Sequence, residues 1–113
     1  MKQMSIIPDE PLSFIRQCVE NHQVLWTYHV NMRMKSRFVP RSMILDSTIS
    51  YEIIETYPDD KYLPSYLVYS RKDNIIIHIL FAVDVAGKNV RVVTAYHPDP
   101  SHWEKDLKTR RKS

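Results

Sequence analysis

The chain is poor in glycine and cysteine: Gly87 and Cys18 are the only residues of each type among 113. A single glycine excludes a glycine-rich phosphate loop and a dinucleotide-binding fingerprint, because both motifs need several glycines. A single cysteine excludes an intrachain disulfide, and Cys18 lies on the apolar stripe of a predicted helix, where a buried thiol is expected. No stretch approaches the roughly 18 apolar residues of a membrane span, and the first ten residues do not resemble a secretory signal. We therefore expect a cytoplasmic protein without a membrane partner.

Basic residues outnumber acidic ones by 16 to 13, but the excess is concentrated at one end. Residues 107–113 contain Lys108, Arg110, Arg111 and Lys112, so the rest of the chain is close to neutral. A short basic tail can contact a phosphate backbone, or it can be a solvated end. The charge alone does not identify a nucleic-acid-binding protein.

Prolines and apolar periodicity divide the chain into helices followed by strands. Pro8 and Pro11 precede an apolar stripe at helical spacing, which predicts a first helix. Thr27 can cap a second helix that continues to Phe38, and Pro40 ends that helix and begins a third. The apolar period then changes to two, which indicates strands. The predicted strands are joined by short turns and cover residues 51–57, 65–71, 75–84 and 89–97.

Short loops force neighbouring strands to run antiparallel, because a parallel connection needs a crossover of about a dozen residues. We therefore predict an α+β fold in which N-terminal helices pack on a four-stranded antiparallel sheet. Val30, Met34 and Phe38 recur every fourth residue and predict the stripe that the second helix buries. The prediction is one domain over residues 1–113, with a core over residues 27–103 and a basic tail over residues 104–113.

The second predicted helix also carries a row of cationic or titratable side chains. His29, Arg33 and Arg37 are spaced by four residues, so they lie along one side of the helix. Such a row can donate hydrogen bonds to phosphate, since an arginine binds two oxygens at once. The spacing is equally typical of a solvated flank with ion pairs to Asp or Glu on the sheet.

His78 interrupts the most apolar predicted strand. A histidine at this position is either a hydrogen-bonded core residue or a titratable group at the floor of a cleft. On the last strand, strict alternation predicts that Thr94 and Tyr96 share a face with Val90 and Val92. Since the register between the two strands is unknown, the sequence does not decide whether Tyr96 meets His78.

The segment after the last strand places His97 and His102 on either side of a Pro-Asp-Pro sequence. No cysteine joins them, so we predict no metal site here, and no cofactor elsewhere in the chain. We expect instead that Asp99 or Ser101 caps a short turn and that this turn docks Trp103 against the body of the protein.

Several runs of residues in this order resemble a known family. They are His29, Arg33-Met34 and Arg37; Ile53-Ile54-Glu55 with Tyr57-Pro58; Ser65-Tyr66-Leu67; Ile77-His78; and Val92 to Asp99 followed by Trp103. Over about residues 27–103 the chain resembles the family of domains of unknown function numbered four-two-five-eight. That family usually has Arg-Gly at the end of the helix, whereas here Phe38 follows Arg37. The departure predicts a helix that continues further than in relatives.

This family is similar in layout to the RelE/ParE and MqsR-type bacterial toxins. The resemblance implies a RelE-like fold and a toxin of a toxin–antitoxin pair, acting as a metal-independent endoribonuclease on RNA phosphodiesters. The implied partners are RNA, including mRNA on the ribosome, and a small antitoxin protein. RNA cleavage needs a base, an acid and cations for the developing charge, which His29 or His78, Tyr96, Arg33 and Arg37 can supply. The predicted catalytic residues are His29, Arg33, Arg37, His78 and Tyr96, and the predicted RNA-binding residues are Tyr57, Tyr69, Arg71, Arg110 and Arg111.

A second hypothesis is a non-catalytic protein-binding module of the same fold. The sheet edge would pair with a partner peptide, and the cationic row would hold an acidic segment. This hypothesis predicts a stable complex without RNA turnover.

Overall fold

The computed structural model describes residues 6–112. Residues 1–5, which belong to the segment that we predicted is not a secretory signal, and Ser113 lie outside the described residues. The described elements follow one another in the order α1 (Pro11–Glu20), β1 (Val24–Trp26), α2 (Tyr28–Ser36), α3 (Arg41–Leu45), a 3-10 helix (Thr48–Ser50), β2 (Glu52–Tyr57), β3 (Ser65–Lys72), β4 (Ile75–Asp84) and β5 (Asn89–Tyr96).

The fold is α+β as predicted, but the sheet has five strands rather than four and is not purely antiparallel. Its order is β1-β5-β4-β3-β2, and β1 runs parallel to β5 with Val24 beside Val90 and Trp26 beside Val92. The prediction missed β1 because three residues between two helices are too few to show a period of two. Its partner lies more than sixty positions later in the chain, so no local signal pointed to the pairing.

The apolar core lies between the helices and one face of the sheet. The odd-numbered residues of β4 from Ile77 to Val83 are buried there. The side chains of Val30 and Met34 on α2 are also buried, as the spacing predicted. Cys18 is buried on α1, and burial raises the pKa of its thiol, so the prediction of a buried thiol is confirmed.

The helix α2 ends earlier than predicted, and Phe38 does not belong to its buried stripe. Phe38 has a φ of +57° and is 83% exposed. Its N–H donates to the Lys35 carbonyl at 3.2 Å, and the N–H of Val39 donates to the Met34 carbonyl at 2.8 Å. This is the hydrogen-bond pattern that terminates a helix with a left-handed residue, a position usually held by glycine. The prediction that α2 continues to Phe38 is therefore wrong: α2 ends at Ser36, and Phe38 adopts a strained left-handed conformation.

Residues 103–112, which we call the C-terminal segment, fold onto the other face of the sheet. Trp103 is buried and forms an isolated bridge with Arg110. Lys108 makes an ion pair of 2.8 Å with Glu52, and Arg110 makes one of 2.6 Å with Glu55. Ion pairs therefore hold Lys108 and Arg110 against the sheet, although Arg110, Arg111 and Lys112 remain exposed to solvent.

A turn before this segment matches the prediction. The N–H of Ser101 donates to the Asp99 carboxylate at 2.8 Å, and the chain then places Trp103 against the sheet.

Among residues 6–112, no helix combines the length and the apolar character that a membrane crossing requires.

Candidate functional site

A bulge in β5 brings Tyr96 to the sheet face that lies opposite the helices. Leu80 pairs with Thr94 and Phe81 pairs with Val92, so Val93 is the extra residue between them. Beyond Val93 the alternation is reversed, and Thr94 and Tyr96 do not share a face with Val92. The predicted assignment of faces is therefore wrong beyond the bulge, because strict alternation cannot include an unpaired residue.

Two adjoining pockets form an open depression on this face, which we call the sheet groove. The first pocket has a volume of about 360 Å³, and so does the second. They share Asp60 and Leu80, so the groove is continuous. The first pocket is also lined by Tyr57, Leu67, Thr94, Tyr96 and Arg110, and the second by Lys61, Tyr62, Leu63, Ser65, Ala82, Arg91 and Val93.

His78 lies beneath the C-terminal segment and makes a hydrogen bond through each ring nitrogen. Its Nε2 lies 2.6 Å from the carbonyl oxygen of Leu107. Since a carbonyl can only accept, Nε2 carries the proton of the neutral ring. The other nitrogen, Nδ1, lies 3.3 Å from the Tyr96 hydroxyl and accepts its hydrogen bond. His78 is thus the hydrogen-bonded core residue of the two alternatives that the sequence left open.

Burial determines the protonation of this pair. The His78 ring is inaccessible to solvent and packs edge-on against Trp103, with 4.5 Å between ring centroids. Burial lowers the pKa of His78, although the hydrogen bond to Leu107 opposes the shift. Burial also raises the pKa of Tyr96. At neutral pH both groups are uncharged, and Tyr96 presents its hydroxyl at the edge of the groove.

Arg37 reaches the same part of the sheet from the end of α2. Its Nη1 donates to the Thr94 hydroxyl at 3.0 Å and to the Ala95 carbonyl at 3.1 Å. Both acceptors are neutral, and the side chain makes no ion pair with any residue of the described part of the chain. Arg37 therefore brings an uncompensated positive charge to the rim of the groove, close enough to Tyr96 to influence its pKa.

His29 and Arg33 do not reach the groove. Helical geometry places Arg33 about 6 Å and His29 about 12 Å from Arg37 along the helix axis. Both side chains are exposed, and neither makes a hydrogen bond or an ion pair with another side chain within residues 6–112. The predicted row exists and is not neutralised by carboxylates, but of its three members Arg37 alone contacts the sheet face where Tyr96 lies.

A hydrogen-bonded cluster that the sequence did not indicate closes one end of the groove. Arg110 donates from Nε and Nη2 to the two carboxylate oxygens of Glu55, at 2.6 and 3.1 Å, and the Tyr57 hydroxyl donates to the same carboxylate. Burial acts to raise the pKa of Glu55, but the hydrogen bonds from Arg110 and Tyr57 outweigh it and lower the pKa. The pKa of Tyr57 is raised, first by its hydrogen bond to the ionised Glu55. Glu55 is therefore an anion that orients Arg110 and Tyr57.

The remaining predicted RNA-binding residues lie outside the groove. The C-terminal segment covers Tyr69, whose ring lies 4.7 Å from the ammonium group of Lys108. Arg71 is at the β3–β4 turn, where its Nε donates to the Asp73 carbonyl. Arg111 donates from Nε to the carbonyl oxygen of Pro100 in the preceding turn, at 2.7 Å. Of the five predicted positions, Tyr57 and Arg110 thus line the groove, and Tyr69, Arg71 and Arg111 do not.

The sequence predicted some of the residues that line the groove and missed others. Tyr96 and Arg110 were predicted from the chemistry of their side chains, whereas Thr94 and Asp60 were missed. Glu55 was also missed: β2 contains a second glutamate, Glu52, and a threonine, so the charge of Glu55 did not distinguish it, and its partner Arg110 is distant in sequence. No group of three or more His, Cys, Asp or Glu residues in the described part of the chain has the geometry of a metal site.

Comparison with known proteins identifies a matching family. A family model described as a domain of unknown function, DUF4258, matches residues 26–99. Neither a curated protein nor a solved structure matches the chain.

Proposed function

The chain belongs to the DUF4258 family, whose model covers about two thirds of its 113 residues, and we propose that its sheet groove binds single-stranded RNA and cleaves a phosphodiester there. In this proposal the protein is the toxin of a toxin–antitoxin pair, with a RelE-like arrangement of helices and sheet. The cleavage uses protein side chains and needs no metal ion.

The observation that carries the proposal is the hydrogen bond from Arg37 to Thr94, because Thr94 lines one open pocket together with Tyr96. The Arg37 guanidinium is held by Thr94, which lines the pocket together with Tyr96 and Arg110. Arg37 retains N–H groups that are not used by Thr94 or Ala95, and these can donate to phosphate oxygens. Arg110 is already paired with Glu55, so Arg37 is the cation better suited to bind an incoming phosphate.

The pair formed by Tyr96 and His78 can accept the proton that RNA cleavage releases. The 2′-oxygen attacks phosphorus and gives its proton to the Tyr96 oxygen, while the Tyr96 proton moves to Nδ1 of His78. The bond from phosphorus to the 5′-oxygen breaks, and this oxygen takes a proton from a water molecule in the open groove. The hydroxide left by that water takes the proton of Tyr96, and Nδ1 of His78 returns its proton to Tyr96, so both residues regain their neutral forms. The products are a 2′,3′-cyclic phosphate and a 5′-hydroxyl. Arg37 stabilises the negative charge that develops on the phosphoryl oxygens.

The rest of the pocket suits the nucleotide itself. Leu67 and Leu80 supply an apolar floor, and the partly exposed ring of Tyr57 stands at one wall. Bases of single-stranded RNA commonly stack on aromatic side chains, and this stacking is tolerant of sequence. We therefore assign Tyr57 to base stacking and Arg110 to the adjoining backbone.

The two partners that follow from this proposal are an RNA, including mRNA on the ribosome, and a small antitoxin protein. The antitoxin would suppress activity by covering the groove or by displacing Arg37 from its rim. Either arrangement predicts that antitoxin and RNA compete for the protein.

Growth and RNA turnover together test the proposal. We expect induction of the wild-type protein in bacteria to slow growth, and the Arg37→Ala and Tyr96→Phe variants to restore it. Lys35→Ala is the matched control, because Lys35 is an exposed cation on α2 that does not line the groove. With purified protein, a labelled RNA in tenfold excess should be consumed by the wild type and by the control. Equal growth and equal turnover for all four proteins would exclude a nuclease at this site.

One observation favours the second candidate, a non-catalytic protein-binding module. The described sheet ends at β2, and the outer edge of β2 has no neighbouring strand among residues 6–112. A partner peptide could add a strand along Glu52–Tyr57. That function predicts a stable protein complex and no RNA turnover at any protein concentration, so the turnover measurement separates the two candidates.

A further inference from the structure

Asp60 is the carboxylate at the junction of the two pockets. It lies in the loop between β2 and β3 and lines both halves of the groove. Its backbone N–H donates to the Tyr57 carbonyl at 3.3 Å, and its carboxylate oxygen Oδ2 accepts the hydroxyl proton of Ser65. Because Ser65 is only 2% exposed and belongs to β3, a buried donor on the rigid sheet orients the carboxylate.

The charge of Asp60 is not compensated by a salt bridge. It makes no ion pair with any residue in the range 6–112, although three cations, Lys61, Arg91 and Arg110, also line the groove. Its Oδ1 has no hydrogen-bond partner among the described side chains and backbone groups. The neighbouring cations would attract the phosphates of a bound RNA. The free carboxylate oxygen of Asp60 would then be a hydrogen-bond acceptor at the place where a base of that RNA would lie.

From this arrangement we propose that the groove prefers RNA with a guanine beside Asp60, and the proposal rests on the RNA-binding function given above. A carboxylate can only accept hydrogen bonds. The Watson–Crick edge of guanine presents two adjacent N–H donors, N1–H and the N2 amino group. Adenine and cytosine each present a donor beside an acceptor, and uracil presents one donor between two carbonyl oxygens that a carboxylate would repel. Guanine is therefore the base that offers two parallel N–H groups to Asp60.

The groove has room for this base next to the reacting phosphate. Leu80 and Ala82, which form part of its floor, are two residues apart on β4 and thus about 7 Å apart. The first pocket holds the nucleotide whose phosphate Arg37 binds, and the second pocket, toward Arg91, holds its neighbour. Asp60 stands between them and can read a base seated in either one.

Binding of uncleavable RNA tests this inference separately from catalysis. The probes are fluorescein-labelled, fully 2′-O-methylated hexamers of uridine that carry one guanosine, one inosine or one adenosine, and the readout is fluorescence anisotropy. Methylation removes the attacking hydroxyl, so affinity is measured without cleavage. Inosine lacks the N2 amino group, so it tests a single hydrogen bond with unmodified protein. We expect wild-type protein to bind the guanosine probe roughly tenfold more tightly than the inosine probe, and the adenosine probe more weakly still.

Two variants connect the preference to Asp60. Asp60→Ala should bind all three probes with similar affinity, while Asp59→Ala, an exposed neighbour that does not line the groove, should keep the preference for guanosine. Ser65→Ala, which leaves the carboxylate but removes the donor that orients it, should reduce the preference. Wild-type protein that binds all three probes equally would overturn the guanine inference and leave the proposed function standing. Wild-type protein that binds none of them would overturn both.

Discussion

The Tyr96 hydroxyl donates to Nδ1 of His78 at 3.3 Å, while Nε2 of the same ring donates to the Leu107 carbonyl at 2.6 Å. The carbonyl thereby selects the tautomer in which Nδ1 has a lone pair directed at Tyr96. A buried histidine of this kind does not meet the substrate itself. In the proposed mechanism it acts on the groove through Tyr96, so we assign Tyr96 as the catalytic residue and His78 as a positioning residue and proton acceptor behind it.

Replacing Tyr96 by phenylalanine tests this assignment. The ring and its packing are retained, so the fold should survive with a loss of about 1 kcal/mol for the missing hydrogen bond to His78. RNA cleavage should fall by roughly 10²–10⁴-fold, the usual contribution of a positioned proton-transfer group. Single-turnover cleavage and RNA affinity are the two measurements. An affinity that falls in parallel with the rate would show that Tyr96 contributes to binding and not to the chemical step.

Stability should depend on pH through His78. Burial lowers the pKa of His78 below the value of about 6.5 that the unfolded chain has, so the unfolded state binds a proton more readily than the folded state does. Stability is therefore greatest above pH 6.5 and falls as the pH decreases from there toward the folded pKa. Urea unfolding at pH 7.5, 6.5 and 5.5 measures this loss. His78→Gln should flatten the dependence, whereas the exposed-residue control His29→Gln should retain it; a wild type equally stable at all three pH values contradicts the account.

Replacing Phe38 by glycine should stabilise the protein. Phe38 is 83% exposed at a φ of +57°, so the substitution loses little burial and relieves the strain of a left-handed residue. Part of the gain is offset because glycine makes the unfolded chain more flexible, and we expect a net increase of about 0.5–1 kcal/mol. Phe38→Ala is the control, because it removes the ring and keeps the strain. Chemical unfolding should rank glycine above alanine, and the reverse order would mean that the helix end is not strained.

The C-terminal segment should be part of the folded unit. Trp103 is 3% exposed and packs against His78, so Trp103→Ala should destabilise the protein by about 3–5 kcal/mol. By contrast, Lys108→Ala removes an ion pair with Glu52 that is exposed to solvent, and this change should leave the stability of the protein almost unchanged. Thermal and urea unfolding of both variants check the difference. A Trp103→Ala protein as stable as the wild type would mean that the segment does not pack on the sheet in solution.

The salt dependence of RNA binding should report on Arg37. Each phosphate contact on single-stranded RNA contributes about 0.7 to the slope of log affinity against log salt concentration. Arg37→Ala should lower the slope by about this amount, whereas Lys35→Ala should leave it unchanged. Anisotropy titrations between 50 and 300 mM salt, an interval chosen to span roughly physiological conditions, provide the slopes. Identical slopes for the wild type and Arg37→Ala would show that Arg37 does not contact a phosphate.

The apolar periodicity of the sequence predicted those parts of the fold in which the pattern within one helix or strand agrees with the packing of the whole protein. The Thr27 cap, the buried positions Val30 and Met34, and the apolar strand around His78 all follow from spacing within one element. The prediction that Phe38 belongs to the buried stripe of α2 was wrong for a physical reason. The helix ends through a left-handed backbone conformation that an aromatic residue rarely adopts, so nothing in the sequence indicated it. The three-residue strand β1 was not predicted, because it forms only by pairing with a strand that is far away in the chain.

The candidate site was less predictable because distant segments assemble it. Tyr96 faces the groove because Val93 bulges, and no feature of the local sequence marks Val93 as the unpaired residue. The contact between Arg110 and Glu55 spans 55 positions, and it converts an apparent solvated tail into one wall of the groove. Spacing placed His29, Arg33 and Arg37 in one row, but only Arg37 makes a side-chain hydrogen bond to the sheet, whereas His29 and Arg33 are exposed.

Analysis of the RNA products tests the central claim most directly. A 5′-labelled RNA is incubated with a tenth of its concentration of purified protein, beside the same RNA with 2′-O-methyl groups, and the product termini are identified by mass spectrometry. The account predicts repeated turnover of the unmodified RNA alone, products ending in 2′,3′-cyclic phosphate and 5′-hydroxyl, and loss of both with Arg37→Ala or Tyr96→Phe. Intact RNA after incubation with folded wild-type protein, or cleavage that the methylated RNA also undergoes, would contradict it.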